Sequence, residues 1–553
     1  MPAPSSSALL GSVLMLLAVS AAAPAAAPGP AERLAELVSA ASEVRIETRS
    51  PEEYAAALTE YRRLRTALAA LPADDLGFDD AIDRELLAAH LDGRIFEIGE
   101  LKLQELVPVT YYALDTTDAL FLRPCGVPDR GVRDAVEELR RLPRILDNAR
   151  KNLKRPARVW TENAIVQASY ARLLLDEEVP RACVDDPELG QELVAAAREA
   201  SSAVDAYERW LTDVLLPRSD RPPTWTPAEI ERYQFVHEGL SEYGVDEMLR
   251  IAEEEEETLL TEMRALAARI DPSGDLSTVW EEMKAEAPPW DGVLPMAQDY
   301  VERASAWLRG PGSGLVDIPE AFDYGARITT PMARRLLSFG GAEYGPTIGG
   351  RISGYYVVTP LEPWLTEAER VSRLAAYNPY WTHVISYHEW LGHNVQRAYA
   401  DAGVSRPMRS LFRSLYLSQA WSFYLEKLLE DEGYYETLPR MERLKTAMAR
   451  RQMRMWRIQR ILTKLRMSRG TMASRRPCRP MSTRSEWSPR MPSSRCSGTR
   501  RAPARPDARS SASASSSRCR RSTAVAWAST TRCAASIRRC SSTASCRSRS
   551  CGV

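Results

Sequence analysis

The chain has 553 residues, and its 44% hydrophobic and 27% charged residues are typical of a globular protein. Its net charge of -1 conceals a division, because residues 471–553 contain 18 arginines and two acids, whereas residues 1–470 contain 55 basic and 72 acidic residues. An acidic body argues against a nucleic-acid-binding protein, which presents a basic face to its partner.

The N-terminus resembles an export signal. An apolar run of 16 residues, ALLGSVLMLLAVSAAA, is followed by small Ala- and Pro-rich residues. This pattern is typical of a signal peptide and its cleavage zone, which we assign to residues 1–27. The run is short for a membrane-spanning helix, which needs about 20 apolar residues. We therefore expect a protein exported to the periplasm or the extracellular space, with no membrane contact after cleavage. An uncleaved anchor that carries a helical scaffold is the alternative.

Residues 28–270 are predicted to form an N-terminal helical region. Ser50, Thr226 and Thr366 each precede a Glu by three positions, which is the sequence signature of a helix N-terminus. An apolar stripe at helical spacing follows the second signal: Leu259, Met263, Leu266 and Ile270. We interpret the acidic run at 253–257 as the solvated face of that helix, and an acidic binding site is the alternative. The predicted fold class is mainly α, a large helical body with a small β element beside a helix near residue 390.

Two cysteines lie in the body, Cys125 and Cys183, and each is next to turn residues. They form a disulfide if the protein is exported to an oxidising compartment, or they are two buried thiols. The sequence leaves both alternatives open.

Residues 271–320 contain several Pro and Gly residues and are predicted to connect the N-terminal region to a second region at 321–470, which contains three of the five histidines, His383, His388 and His393. The clearest strand signal is the stretch 349–359, which is rich in β-branched and aromatic residues and ends before Pro360. If this strand lies at the edge of a sheet, it can hold an extended peptide by backbone pairing. Packing of the strand's tyrosines in the core is the alternative interpretation.

The stretch most informative about chemistry is His388-Glu389-Trp390-Leu391-Gly392-His393. Two neutral imidazoles can hold Zn²⁺ with a coordination position left for water, and a Glu after the first His can accept that water's proton. We interpret His383 as a packing or hydrogen-bonding residue and His90 and His237 as ordinary helix residues.

The two histidines are five residues apart, rather than the four of the common HExxH motif. On an ideal α-helix their rings would point about 140° apart. A one-residue bulge would bring them together, and such bulges are frequent at functional sites. Gly392 lies where backbone freedom would help the bulge. A helix with surface histidines is the alternative to a metal site.

Residues 471–553 contain 21 serines and no Leu, Phe, Tyr or Lys, which leaves too little apolar surface for a packed core. This tail is either a disordered basic arm or the product of a reading-frame slip near residue 472 in a GC-rich gene.

The motif HEWLGHNVQ resembles the signature of the bacterial domain of unknown function 885 (DUF885) proteins. A second segment, from Gln419 to Glu426, is similar to the EGWALYxE segment of that family, and the likeness extends over about residues 30–470. The string HExxGH also matches dipeptidyl peptidase III, but only locally, since no EExRAD-like second motif is present.

The resemblance implies a zincin-like metallopeptidase with a largely helical fold. It implies His388 and His393 as zinc ligands and Glu389 as the general base. The third ligand of the family would be the Glu of EGW, and this chain has Gln419 there, whose amide oxygen is a weaker zinc ligand. We expect Glu426, two helical turns further on, not to replace it. The expected function is an exported zinc-dependent peptidase acting on peptides, weakened by Gln419 and a truncated C-terminus. The alternative is an inactive helical binding protein that retains the fold.

Overall fold

The structure is a computed structural model that describes residues 28–472 except 123–124, 126–127, 321, 338, 349–350, 399–405 and 413. The predicted signal peptide (1–27) lies outside the described residues, as does all of the Arg/Ser-rich tail except its first two positions. Every described residue belongs to one unit, which ends at residue 492.

The predicted mainly α class is confirmed. The α-helices are α1 (Pro30–Glu43), α2 (Pro51–Ala69), α3 (Phe78–Ile95), α4 (Leu103–Leu106), α5 (Asp115–Ala119), α6 (Asp129–Asn152), α7 (Arg158–Arg172), α8 (Pro187–Trp210), α9 (Pro227–Glu238), α10 (Val245–Ile270), α11 (Leu276–Ala285), α12 (Trp290–Arg309), α13 (Glu367–Leu374), α14 (Pro379–Tyr387), α15 (Pro407–Leu411), α16 (Leu415–Asp431) and α17 (Arg440–Ser468). Segments of π-helix are Phe96–Glu100, Leu173–Glu178, Leu211–Leu215 and His388–Val395. Short 3-10 turns are Pro108–Tyr111, Leu120–Leu122, Val179–Arg181, Leu216–Arg218, Ala375–Tyr377 and Tyr435–Thr437.

The three predicted helix starts are confirmed. Ser50, Thr226 and Thr366 each accept a hydrogen bond from the backbone N–H three residues on, and the Glu at that position bonds back to the cap residue. These reciprocal bonds satisfy backbone donors that the first turn of a helix leaves unpaired. The helices therefore begin where the local sequence predicts.

The sheet has three strands, β1 (Phe322–Ile328), β2 (Gly340–Ile348) and β3 (Arg351–Val358), in the order β1-β3-β2. β3, which is the strand expected from the sequence, pairs parallel with β1 and antiparallel with β2. The edge-strand interpretation of β3 is therefore wrong, because hydrogen bonds to neighbours on both sides occupy its backbone. Its Tyr355 and Tyr356 are buried, as the packing interpretation expects, and β2 is the edge strand.

Buried apolar side chains form three main clusters. One joins α1–α3, and a second lies mainly among α6–α8. The third contains residues of α10–α12, the sheet, α14 and α17, and it surrounds the histidine motif. Two helices, α11 and α12, lie in the predicted connecting region 271–320 and contribute to this third cluster.

The last helix, α17, packs along α10 through ion pairs. Arg454 bonds Glu255, and Arg466 lies 2.9 Å from Glu253. The acidic run at 253–257 is thus only partly solvated, because Glu253 and Glu255 pair with arginines of α17.

A buried polar contact links β2 to the N-terminal helices. Thr330 Oγ1 donates to Asp118 and lies 2.9 Å from Glu343 Oε2 on β2. Burial, and then the charge of Asp118, raise the pKa of Glu343 to about 7, and burial raises the pKa of Asp118 to about 6. The edge strand is therefore held by two carboxyl groups whose protonation changes near neutral pH.

Cys125 and Cys183 form a disulfide with a Cα–Cα distance of 5.0 Å. This decides between the two alternatives that the sequence left open. In the described part of the chain, no helix combines the length and the apolar character that crossing a membrane requires.

Candidate metal centre

The histidine motif follows directly on α14. Asn378 caps this helix by accepting from the backbone N–H of Trp381, and Pro379 occupies its first position. From His388 to Val395 the backbone is a π-helix, in which hydrogen bonds join residues five apart. The predicted bulge is therefore confirmed, and its period matches the spacing of the two histidines.

The π-helix brings the side chains of the motif together. The ring centroids of His388 and His393 are 5.1 Å apart, and one ligand atom from each of these residues and from Glu389 lies within 4.8 Å of the others. All three residues are buried. The rings therefore share one side of the helix, as a common cation would require.

Both imidazoles are oriented from α16. The Nδ1 atom of His388 lies 2.7 Å from Oε1 of the buried Glu426, and Nδ1 of His393 lies 3.1 Å from Ser418 Oγ. The carboxylate of Glu426 accepts from Nδ1–H of His388 and so leaves Nε2 of that ring as the available ligand atom, an arrangement frequent among metal-binding histidines. The Ser418 hydroxyl can donate or accept, so it orients the ring of His393 without fixing its tautomer. Glu426 therefore lies behind His388 and orients its ring.

Gly392 is required for close packing and not for an unusual backbone angle. It is not among the described glycines with positive φ. A Cβ atom at this position would lie 2.4 Å from Ser422 Oγ and 2.8 Å from Ser422 Cα. The interpretation of Gly392 as a residue chosen for backbone freedom is thus wrong, because the near approach of α16 is what excludes a side chain.

Burial dominates the electrostatics of the site. It raises the pKa of Glu389, against the opposing charges of His388 and Arg457. It lowers the pKa of His393 to about 3, with smaller contributions from the same two residues. Burial also acts to raise the pKa of Glu426, but the hydrogen bond from His388 and the nearby arginines outweigh it and lower that pKa. The site therefore favours a neutral His393 and a carboxyl at 389 that takes up protons more readily than usual.

A cation from α17 also reaches the site. Arg457 Nη2 lies 3.2 Å from His388 Nε2 and 4.0 Å from Glu426 Oε1, and its side chain is 14% exposed. This guanidinium donates to the nitrogen that a metal would use, so a metal could bind there only if Arg457 moved away.

The site opens into a cavity of about 1190 Å³. Gln419, the predicted third ligand, lies on α16 and lines this cavity with an exposed side chain. The edge strand β2 lines it as well, at 340–342 and at Tyr344. The four predicted site residues thus border one cavity, with three of them in a tight cluster and Gln419 on its wall.

The profile of a known family matches residues 35–485 of the chain, and this family is described as "Bacterial protein of unknown function (DUF885)". The chain belongs to the DUF885 family. The match covers the histidine motif, the segment 419–426 and α17, as the resemblance in the sequence predicted.

Among solved structures, this DUF885 chain is similar to one from Shewanella oneidensis described as "a putative lipoprotein of unknown function". The TM-score is 0.58 at 15% identity, over 81% of this chain and 85% of the other. At this identity the likeness concerns the fold alone. No curated protein matches the chain, so the local likeness to dipeptidyl peptidase III has no support from these comparisons.

The donor set of this DUF885 chain fits a zinc ion in most respects. Zn²⁺ is bound by neutral imidazole nitrogens and carboxylate oxygens, and a carboxylate behind the first imidazole strengthens that ligand. His388, His393 and Glu426 meet these requirements, whereas Gln419 offers only a neutral oxygen. The guanidinium of Arg457, which contacts His388 Nε2, opposes the ion.

The remaining histidines behave as expected. His383 stacks on Tyr300 with ring centroids 4.2 Å apart, and its Nε2 lies 2.9 Å from the Tyr434 hydroxyl. His90 lies in α3 and His237 in α9. None of the three belongs to the cluster of His388.

Three residues of the site were not predicted from the sequence: Ser418, Arg457 and Glu426 as the partner of His388. Ser418 and Glu426 are eight residues apart on α16, a spacing that places both on one face of the helix, so helical periodicity around the EGW-like segment could have indicated that they act together. Arg457 carries no such signal, since α17 is rich in arginine along its whole length.

Proposed function

We propose that this protein is an exported zinc-dependent peptidase. The observation that carries the proposal is the buried cluster of His388, Glu389 and His393 at one wall of a large cavity. A lone histidine pair on a surface helix would have neither the buried partner Glu426 nor the neighbouring edge strand. A site assembled with both is typical of a metal-dependent hydrolase.

In this proposal each residue has a separate role. His388 and His393 hold the metal through Nε2, and Gln419 is the weaker third ligand. A zinc ion held there would polarise a peptide carbonyl and lower the pKa of a water molecule. Glu389 is the general base, and its raised pKa suits a carboxylate that must accept a proton near neutral pH.

The edge strand β2 offers a way to hold an extended peptide. Its outer edge has no strand partner among the described residues, and part of it lines the cavity beside the cluster. An extended peptide could therefore pair with β2 as an additional strand. This role, expected of β3 from the sequence, passes to β2 because β2 lies at the edge.

Export is supported by two independent features. Disulfides persist in oxidising compartments, and Cys125 is bonded to Cys183. The N-terminal apolar run is typical of a signal peptide. The structurally similar Shewanella chain is described as "a putative lipoprotein of unknown function", but in this chain no cysteine lies directly after the apolar run.

A second candidate is an inactive binding protein with the same fold. Two observations favour it: the neutral Gln419 at the third ligand position and the guanidinium of Arg457 against His388 Nε2. Both reduce the affinity of the cavity for a divalent cation.

Zinc content and peptide hydrolysis separate the two candidates. The purified protein is expected to bind zinc, measured by inductively coupled plasma mass spectrometry, and to cleave fluorogenic peptides. Glu389→Gln is expected to keep the zinc but lose roughly 100-fold or more of the rate. A wild-type protein that neither binds zinc nor cleaves peptides would establish the inactive binding protein instead.

The role of position 419 has its own test. Gln419→Glu supplies a carboxylate and is expected to raise the amount of bound zinc. Gln396→Glu is the matched control, because Gln396 lines the same cavity without being a predicted ligand. Equal zinc contents in wild type and both variants would show that 419 is not a ligand position.

A further inference from the structure

The cavity is lined by one carboxylate and four arginines. The carboxylate belongs to Glu389, and the cations are Arg397, Arg409, Arg457 and Arg460. The body of the protein is acidic, with 55 basic against 72 acidic residues in 1–470. Cations therefore gather at this cavity against the average charge of the protein.

Two of the four arginines are held by the cavity wall. Arg409 lies 2.6 Å from the buried Asp83 and 3.3 Å from Asp79. The guanidinium carbon of Arg397 lies 4.9 Å from the centre of the Tyr344 ring. These partners account for the positions of both side chains.

Arg457 is also held by its surroundings, since its Nη1 donates to the Met453 carbonyl at 3.1 Å and its guanidinium carbon lies 4.5 Å from the centre of the Phe423 ring, whereas Arg460 is exposed. The two arginines are three residues apart on α17, and their guanidinium carbons lie 5.7 and 5.4 Å from the ring centre of Trp456. Side chains three apart on a helix are neighbours, so two like charges lie side by side. Arg460 forms no ion pair with any described residue, and the nearby Glu426 already accepts from His388.

Such a pair is well suited to bind an anion. Guanidinium groups bind carboxylates with two parallel hydrogen bonds, and aromatic faces strengthen the interaction by excluding water. Arg457 also touches His388, so an anion between the two arginines would lie next to the proposed catalytic cluster. The apolar walls at Trp456 and Phe412 could accept an adjacent hydrophobic side chain.

We propose that Arg457 and Arg460 form a carboxylate-binding subsite, so that the protein takes peptides carrying a free carboxylate close to the bond that is cleaved. That the ligand is a peptide follows from the peptidase function proposed above, and in this respect the present proposal rests on that function. The carboxylate is either the C-terminus of the peptide or an acidic side chain, since both present the same group to the arginines.

The test measures binding to metal-free protein by isothermal titration calorimetry and so needs no turnover. The probes are N-acetyl-Ala-Phe, its C-terminal amide, and the amide N-acetyl-Glu-Phe-NH₂. The free acid is expected to bind at least about 10-fold more tightly than its amide. Tight binding of the Glu-containing amide instead would assign the subsite to acidic side chains.

Arg460→Gln is expected to abolish this preference, and Arg460→Lys to retain part of it, because Lys keeps the charge but not the planar fork. Arg454→Gln is the matched control, since Arg454 lies on the same helix, pairs with Glu255 and does not line the cavity. Thermal unfolding of each variant checks that it folds. Equal binding of acid and amides by wild type, or a preference that Arg460→Gln leaves intact, would overturn the subsite.

The two proposals can fail separately. Carboxylate binding without zinc or peptide cleavage would reject the peptidase and retain the subsite. Peptide cleavage at equal rates with free and amidated termini, and without preference for acidic residues, would retain the peptidase and reject the subsite.

Discussion

The close approach of α16 to the π-helix makes Gly392→Ala a sharp test of how the site is assembled. The added Cβ would lie 2.4 Å from Oγ, 2.6 Å from Cβ and 2.8 Å from Cα of Ser422. Rotation of the serine hydroxyl removes the first of these contacts only. One of the two segments must therefore move, and both carry residues of the proposed metal centre.

The expected loss of stability follows from these contacts. Overpacking a well-packed core costs about 1–3 kcal/mol, and the backbone contact with Cα places this site toward the upper end. Replacing Gly by Ala in a helix recovers up to about 1 kcal/mol. We therefore expect Gly392→Ala to lower the free energy of unfolding by about 2 kcal/mol, measured by urea denaturation followed by circular dichroism.

Gly190→Ala is the control. Gly190 lies inside α8, and a Cβ there would lie 3.6 Å from the nearest atom of Val184, which is an ordinary contact. This variant is expected to be as stable as wild type or more stable, by up to about 1 kcal/mol. The two Gly→Ala changes should thus have opposite signs.

A double-mutant cycle identifies the contact. Ser422→Gly removes two of the three conflicting atoms, so in this background Gly392→Ala should cost roughly half as much as in wild type. Additive effects of the two changes, or a stable Gly392→Ala, would show that the segments do not approach as closely as described.

Two further predictions concern the buried carboxyl groups. Glu426→Gln keeps a hydrogen-bond acceptor for His388 but removes the charge, and it should weaken zinc binding by roughly 10–100-fold in a zinc titration. Glu430→Gln is the control, because Glu430 lies on the same helix without a contact to the histidine, and this variant should leave zinc binding unchanged. Glu343 has a folded-state pKa of about 7 against an ordinary value of 4.5, so its contribution to stability is present below pH 4.5 and is lost as the pH rises toward 7. Glu343→Gln removes this loss and the repulsion of Asp118. The difference between a pKa of about 7 and one of 4.5 corresponds to about 3 kcal/mol, so the variant should be more stable than wild type by about that amount at pH 8 and equally stable at pH 4 in urea denaturation. A constant difference at all pH values would contradict this prediction.

Local features of the chain were predictable because their physics is local. The caps at Ser50, Thr226 and Thr366 depend on atoms within one helical turn, and all three are present. The five-residue spacing of His388 and His393 predicted the π-helix for the same reason, since only that hydrogen-bond period aligns them.

Long-range features were not predictable in this way. The sequence indicated one strand at 349–359. Its place in the sheet depends on pairing with distant segments, and this pairing puts it in the centre and β2 at the edge. Glu426 was considered only as a substitute ligand, yet the packing of α16 against the π-helix directs it to the back of His388.

The sequence by itself therefore determined the helical class, the helix starts and the chemistry offered by two imidazoles and a carboxylate. Only the tertiary structure decided which groups surround them, because α16, α17 and β2 reach the motif through contacts between segments distant in the chain. Arg457 shows the difference most clearly, since it lies 69 positions from His388 and within 3.2 Å of its ring nitrogen.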